Sequence, residues 1–533
     1  MTNKFSAVYF LTISILFGQS HVSYDLSDQF GVVLDNNQIV WNDDKKFDDL
    51  LIDRSSTYFK NKFSSFNFDN MPTDSVYVKS KFQYEFGDYG FDKLNIGLKK
   101  HSKKSDLEFT AMKKSFFGTY AEFADQDSSP LSLFYKADYT TNLSNGNLYF
   151  SIGYFREDSK FLFDVNSDVS LEGITNKEFS DFLSFTAGSI LNVDNWSYNF
   201  ELNHINKYTD RVITQYNINH EVDIDRNRFN VSAKNGRNIS ITSFIDNAYY
   251  FDHNNQEGYS RNILQLYNSN EFSFGDFTYG IDYIADKVAP NISYEAKFGT
   301  LGLYISRKNK SNIVLFDRTQ QFEEYLYHPE DHEKVQNWDS LILSYRLFVV
   351  DLDLNFVRAN NLQAQYLSDI EIADLDGYFS FSDDMLSLKT KVILPFKDSK
   401  VDIVYYHNFY DSLISSNRSD ILDLNYYFKT SFVNQKLGID GKLSLRYLSK
   451  NDSGYSFDYF RNIPISHNHI SYDESYNVGL DLNVSIADVI LTIRLKNALD
   501  RLPIDGNYSL NNSDLFNPMN SLLSFGIIWE FDD

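Results

Sequence analysis

Along most of this chain apolar and polar residues alternate with a period of two. Tyr476, Val478, Leu480, Leu482, Val484 and Ile486 fall on one face, with Asn477, Gly479, Asp481, Asn483 and Ser485 on the other. Leu437, Ile439, Gly441, Leu443, Leu445 and Tyr447 repeat the pattern opposite Lys436, Asp440, Lys442, Ser444 and Arg446. Leu523, Phe525, Ile527, Trp529 and Phe531 repeat it at the C-terminus, and similar runs occupy 76–86, 131–139, 196–202, 277–283, 351–356, 401–409 and 422–428. Successive side chains of a β-strand point to opposite faces, so this period predicts strands. A helix would instead bring apolar residues together at spacings of three and four. From residue 74 onward the pattern predicts about 22 to 25 strands, most about 9 to 14 residues long. The stretch 361–384 reads as either one strand or two. The chain is predicted to be all-β.

Two architectures use so many alternating strands. A soluble sandwich, propeller or β-helix turns its apolar faces inward, whereas a transmembrane barrel turns them outward and lines its lumen with the polar ones. Strand length separates them: soluble strands run to about five or six residues, and about 9 to 11 tilted residues cross a bilayer. Apolar faces also end in aromatic residues at Trp196, Tyr198, Tyr447, Trp529 and Phe531, which suits interfacial girdles. No repeating Gly or Trp-Asp signature marks propeller blades. The prediction is a transmembrane antiparallel β-barrel of about 22 strands, of the outer-membrane type.

Composition narrows the function classes. The 533 residues include no Cys, 8 Pro, 38 Tyr and 47 Phe, and the net charge is -24. Absence of Cys removes disulfide scaffolds, thiolate zinc sites and thiol nucleophiles. So acidic a chain lacks the basic stripe that nucleic-acid binding needs. At the N-terminus Lys4 precedes the apolar run Ala7–Phe17, and Gly18-Gln19-Ser20 supplies small residues for cleavage, so residues 1–20 read as a signal peptide. Residues 21–73 form a short N-terminal segment, expected to act as a reduced plug, and 74–533 the barrel. Tight turns at Val433-Asn434 and Ala487-Asp488 alternate with long polar connections near 411–417, 449–472 and 498–520. Short turns belong on the periplasmic side and long loops outside, which sends the final strand, 521–531, toward the periplasm.

The run Val489-Ile490-Leu491-Thr492-Ile493-Arg494-Leu495-Lys496-Asn497-Ala498-Leu499-Asp500 resembles the penultimate strand of TonB-dependent outer-membrane receptors. Asn497 and Asp500 fall in their signature before the last long loop. The closing Leu522–Phe531 segment is similar to their terminal strand, including the aromatic end at Trp529 and Phe531. The specific match covers 473–531. It implies an outer-membrane barrel serving nutrient uptake, with a TonB-type coupler as partner. The chain departs from that family in its short pre-barrel segment, where Val32-Val33-Leu34 is the nearest approach to a TonB-contacting box and Phe47–Asp53 to a plug element. Two residues also follow Phe531. A receptor-sized lumen left open would leak, so the bore is expected to be narrowed by 21–73, by inturned loops such as 310–337, or by a separate plug protein.

No catalytic constellation is present: the chain has no Gly-x-Ser-x-Gly elbow, phosphate-binding loop or His-Glu-x-x-His. His328 with His332, and His467 with His469, lie in acidic or polar loops and read as solvated surface, so neither a metal nor a cofactor is expected. Asp440, Lys442, Arg446, Asp481, Arg494 and Lys496 lie on polar strand faces and are candidate lumen charges. They read as wall-bracing ion pairs or, alternatively, as a selective constriction. The carboxylate excess is assigned to exterior loops, where it would repel anions. The expected function is passive or assisted uptake of a small solute across the outer membrane, with lipid as the surrounding partner. The alternatives are a TonB-dependent receptor with a reduced or separate plug, and a display barrel without transport.

Overall fold

The computed structural model describes residues 34–35, 38–39, 76–115, 131–160, 176–213, 218–236, 239–252, 255–284, 287–311, 335–367, 375–409, 419–432, 437–450, 455–458, 463–466, 474–501 and 521–532. Within them the chain forms a closed antiparallel barrel of 22 strands. The first are β1 (Tyr77–Gly87), β2 (Asp92–His101), β3 (Ser105–Ser115), β4 (Leu131–Leu143), β5 (Gly146–Lys160), β6 (Asn176–Val193) and β7 (Trp196–Ile213). The middle of the wall is β8 (Ile218–Asn235), β9 (Ile239–Asp252), β10 (Asn255–Phe272), β11 (Gly275–Ile284), β12 (Lys287–Phe298), β13 (Leu301–Ser311) and β14 (Val335–Leu347). It continues through β15 (Val350–Leu367), β16 (Leu375–Pro395), β17 (Ser399–Asn408), β18 (Asp420–Phe432) and β19 (Leu437–Leu448). Then β20 (Ser475–Ile486), β21 (Val489–Lys496) and β22 (Leu522–Asp532) complete the wall, and β22 pairs with β1 to close it.

The ambiguous stretch 361–384 resolves into two strands: the upper part of β15 and the start of β16, which pair as far as Leu367 with Leu375. Several strands exceed the expected length, β16 reaching 21 residues. The physical reason is visible on the outer face. From β13 to β16, Leu303, Leu343, Leu354 and Leu388 oppose one another in one register row, and Ile305, Leu341, Phe356 and Leu386 form the row above. One row higher the outer face becomes charged, with Arg307, Asp339, Arg358 and Asp384 in register. The strands therefore run on past their apolar band.

Outward aromatics sit at both ends of that band. Trp529 and Phe531 pack at 4.5 Å at one rim, together with Trp196 and Tyr198 at 6.2 Å, while Tyr447 and Tyr476 meet at 5.1 Å at the other. The first rim carries the tight turns, including Asp194-Asn195, Phe348-Val349 and Ala487-Asp488, where Asp194, Phe348 and Ala487 have φ of 53°, 50° and 51°. The opposite rim carries the long connections, and β22 descends to the short-turn rim. Residues 1–33, the Phe47–Asp53 segment, the turn at Val433-Asn434, the loop 312–334 and His328, His332, His467 and His469 lie outside the described residues.

Candidate functional site: the charged inner seam

The inner face is identified by contacts that skip a strand, which only a concave surface permits. Tyr149 on β5 donates its hydroxyl to Glu201 on β7 at 2.6 Å, passing over β6. Gly188 makes room for it, since a Cβ there would lie 2.3 Å from the tyrosine ring. Asn291 on β12 reaches Tyr267 on β10 at 3.0 Å in the same way. Polar side chains on this face are largely enclosed, among them Asn203, Asp282, Thr492 and Glu85.

All six charges anticipated from the sequence lie on this inner face, and they do not form one group. Arg446 holds Asp423 of the neighbouring β18 in a two-pronged ion pair, Nε to Oδ1 at 2.6 Å and Nη2 to Oδ2 at 2.9 Å. Asp440 accepts a hydrogen bond from Asn483 at 2.9 Å. Lys442 lies opposite Asp481 and over the Tyr427 ring, 5.8 Å from its centroid. These contacts brace the wall, as paired signs should.

Arg494 belongs to a different arrangement. Its Nη1 reaches past β22 to Glu85 of β1 at 2.6 Å, while its Nε stands 3.9 Å from Asp481. Glu85 is buried, and its other oxygen accepts the Ser524 hydroxyl at 2.6 Å. Gly526 is what allows the crossing. A Cβ at that position would stand 2.6 Å from Thr492 Oγ1 and 3.3 Å from Glu85 Cβ. On the far side of Glu85, Lys93 of β2 is its direct cross-strand partner, and Lys114 of β3 is in turn directly opposite Lys93. Lys496 follows Arg494 on the same face and, like Lys114 and Arg494, lies near enough for its charge to act on the Lys93 ammonium. Among the described residues, Lys93, Lys114, Arg494 and Lys496 thus share one stretch of inner wall with Glu85 and Asp481, just beneath the long-loop rim and across the closure of the barrel.

Sequence reading singled out Arg494 and Lys496 but not Glu85, Lys93 or Lys114. A local signal existed: Lys93, Asn95, Gly97 and Lys99 alternate with Leu94, Ile96 and Leu98. Their neighbourhood with β21 did not, because nothing local in the sequence aligns the first strand with the last. Of the motif positions, Asn497 is buried and adopts φ 48°, a left-handed conformation that Asn tolerates better than most residues, as the chain leaves β21. Asp500 lies in the 3-10 turn Ala498–Arg501 that follows.

At the mouth, a short hairpin from the connection between β19 and β20 (Tyr455–Asp458 with Ile463–Ser466) pairs in parallel with β15 at Gln365 and Tyr366. It takes the edge of β15 above Asn360, beyond the last described pairing with β14. The connection described at the mouth thus belongs to 449–474, while most of the anticipated 310–337 lies outside the described residues.

No family model matches the chain, and no curated protein does. Solved structures do match. The siderophore receptor PirA from Acinetobacter baumannii superposes with a TM-score of 0.61 at 8% identity, covering 87% of this chain and 81% of that one. A ferric enterobactin receptor of Pseudomonas aeruginosa gives 0.60 at 11% identity, covering 87% and 82%. The ferric yersiniabactin uptake receptor FyuA from Yersinia pestis gives 0.59 at 10%, covering 87% and 81%. The likeness to TonB-dependent receptors first read in the last two strands therefore extends round the barrel, and at these identities it is a likeness of fold: this chain has the 22-strand barrel of the outer-membrane siderophore receptors.

Proposed function

We propose that this protein is an outer-membrane uptake barrel that carries a small nutrient solute through its lumen, by passive or assisted diffusion and without catalysis. The observation that carries the reading is the inversion of its two faces: continuous rows of leucine and aromatic side chains point outward, and ion-paired and hydrogen-bonded polar residues line the bore. Apolar rows facing outward suit lipid, and a wall of polar groups suits a hydrated path. Residues 1–20 act as the export signal, and the short-turn rim faces the periplasm.

A second reading is favoured by the fold neighbours, whose names are those of siderophore receptors and an iron transporter. In that reading residues 21–73, or a separate protein, form a plug released by a TonB-type coupler. Single-channel conductance separates the two. Steady conductance of the full-length protein in a planar bilayer supports the passive channel. Conductance that appears only after deletion of residues 21–73 supports the plugged receptor. Silence of both proteins, once inserted, overturns transport and leaves a display barrel.

A further inference from the structure

We propose that the upper ends of β15 and β16, together with the hairpin from the β19–β20 connection, form a strap folded over the mouth of the barrel, and that a solute enters only when the strap is released. The inference rests on the uptake reading and adds a control on entry. It begins with distance. Leu448 at the end of β19 stands in one register row with Ile421, Tyr406, Lys389 and Asp353, the last on β15. The hairpin meets β15 at Gln365 and Tyr366, about 40 Å farther along that strand at about 3.3 Å per residue. Four strand spacings separate β19 from β15 along the wall, and the two arms of the hairpin lie beyond, on the side of β15 away from β16. At about 4.8 Å for each spacing, the far arm would stand about 29 Å round the wall. Yet only seven steps of chain join Leu448 to Tyr455 on that arm, and fully extended they reach about 25 Å. The connection closes only if the ribbon of β15 and β16 leaves the wall and folds back toward β19.

The point of departure is marked in the backbone. Among the described residues β14 pairs with β15 no higher than Asn360. The register of β15 against β16 slips between Ala359 and Leu362, where Asn361 has a left-handed φ of 60°. Such a bulge bends its strand, and a second slip, between Gln365 and Tyr366, lies at the docking point itself. Just below the first bulge the polar inner face turns apolar: Val357, Ala359 and Met385 are buried, with Trp338 packed against them. Ala359 is 0% exposed although it faces the bore. A ribbon folded inward across the mouth gives that patch its cover. The latch itself is small. It consists of two residue pairs in parallel register, a pairing slightly weaker per residue than the antiparallel one. The hairpin that makes it has arms of four residues, and a two-stranded hairpin is marginal on its own. A closure so made is releasable, unlike the continuous ladders of the wall.

The chain has no cysteine of its own, so an engineered disulfide can lock the latch. Gln365→Cys combined with Ile465→Cys places two thiols at directly paired positions, within the Cα separation a disulfide spans. In the full-length protein, oxidation is expected to close this bond without denaturant. It is expected to lower planar-bilayer conductance at least tenfold against the reduced state, while each single-cysteine variant conducts alike under both conditions. Failure of the disulfide to form, or equal and measurable conductance of the oxidised and reduced barrel, overturns the strap and leaves the uptake reading untouched. A second readout needs no conduction. Asn355→Cys, between the outward Leu354 and Phe356, puts a thiol on the inner face below the apolar patch. Its labelling by a bulky polyethylene glycol maleimide is expected to accelerate at least tenfold when residues 455–466 are replaced by a Gly-Ser segment of equal length. Equal labelling of the two proteins overturns the strap. Faster labelling in a barrel that never conducts, with or without residues 21–73, keeps the strap and overturns the uptake reading.

Discussion

Two charged rows cross this barrel near its long-loop rim, one outside and one inside, and they are built on opposite rules. The outer row, Arg307, Asp339, Arg358 and Asp384, alternates sign at every strand. Two of its contacts are two-pronged, with Arg307 and Arg358 each holding a carboxylate at 2.6 and 2.7 Å. The inner row, Glu85, Lys93 and Lys114, places two cations side by side. The outer row neutralises itself where the apolar band ends, so it needs nothing further from its surroundings. The inner row does not balance itself strand by strand: its carboxylate, Glu85, is held from across β22 by Arg494. Strict alternation of sign is a property of the outer row, whereas on the inner face Lys79 also stands directly opposite Lys99.

The largest effect that tests this contrast comes from moving a cation down the outer face. Leu354→Arg places a guanidinium four residues below Arg358, in the row of four leucines, and should destabilise the membrane-inserted barrel by about 2–4 kcal/mol in urea unfolding from vesicles. A loss below about 0.5 kcal/mol would show that this row does not lie in the hydrocarbon region. Next in size is Arg494→Leu, which strips the buried Glu85 carboxylate of a charged partner and should cost about 1.5–3 kcal/mol by the same measurement. Arg358→Leu breaks an exposed pair and should cost no more than about 1 kcal/mol by the same measurement. The smallest net effect is expected in the inner row. Lys93→Gln should change the stability by no more than about 1 kcal/mol, because it removes a like-charge opposition to Lys114 together with the opposite-charge pairing to Glu85. A loss above about 2 kcal/mol would show that Lys93 holds the wall as firmly as Arg494 does, and the contrast between the rows would fail.

How far the sequence carried this picture depends on the range of the information. Alternation at 476–486 and 437–447 became β20 and β19 with the anticipated residues on each face, because strand facing is a property of neighbours two apart. Turn and loop lengths oriented the wall, since Ala487-Asp488 and the 449–472 connection fall on opposite rims. The aromatic ends at Trp196 and Trp529 fall at one rim and Tyr447 at the other. What stayed hidden was lateral: whether 361–384 held one strand or two, and which charges face one another across the wall. Arg494 was identified, but its partner Glu85 is 409 positions away. That register is set by the closure of the whole barrel, with no turn to fix it.

The same separation has a kinetic consequence. Each hairpin from β1 to β21 can zip against its sequence neighbour, but β22 must find β1 across almost the entire chain, and contacts of such long range form late and slowly. Until they form, the molecule is an open sheet with two unpaired edges, each a template for another chain. Gly526 and the Arg494–Glu85 bond across it would then act as the clasp that records completion. A chain truncated before Leu522 would be expected to accumulate as edge-exposed aggregates instead of a smaller barrel.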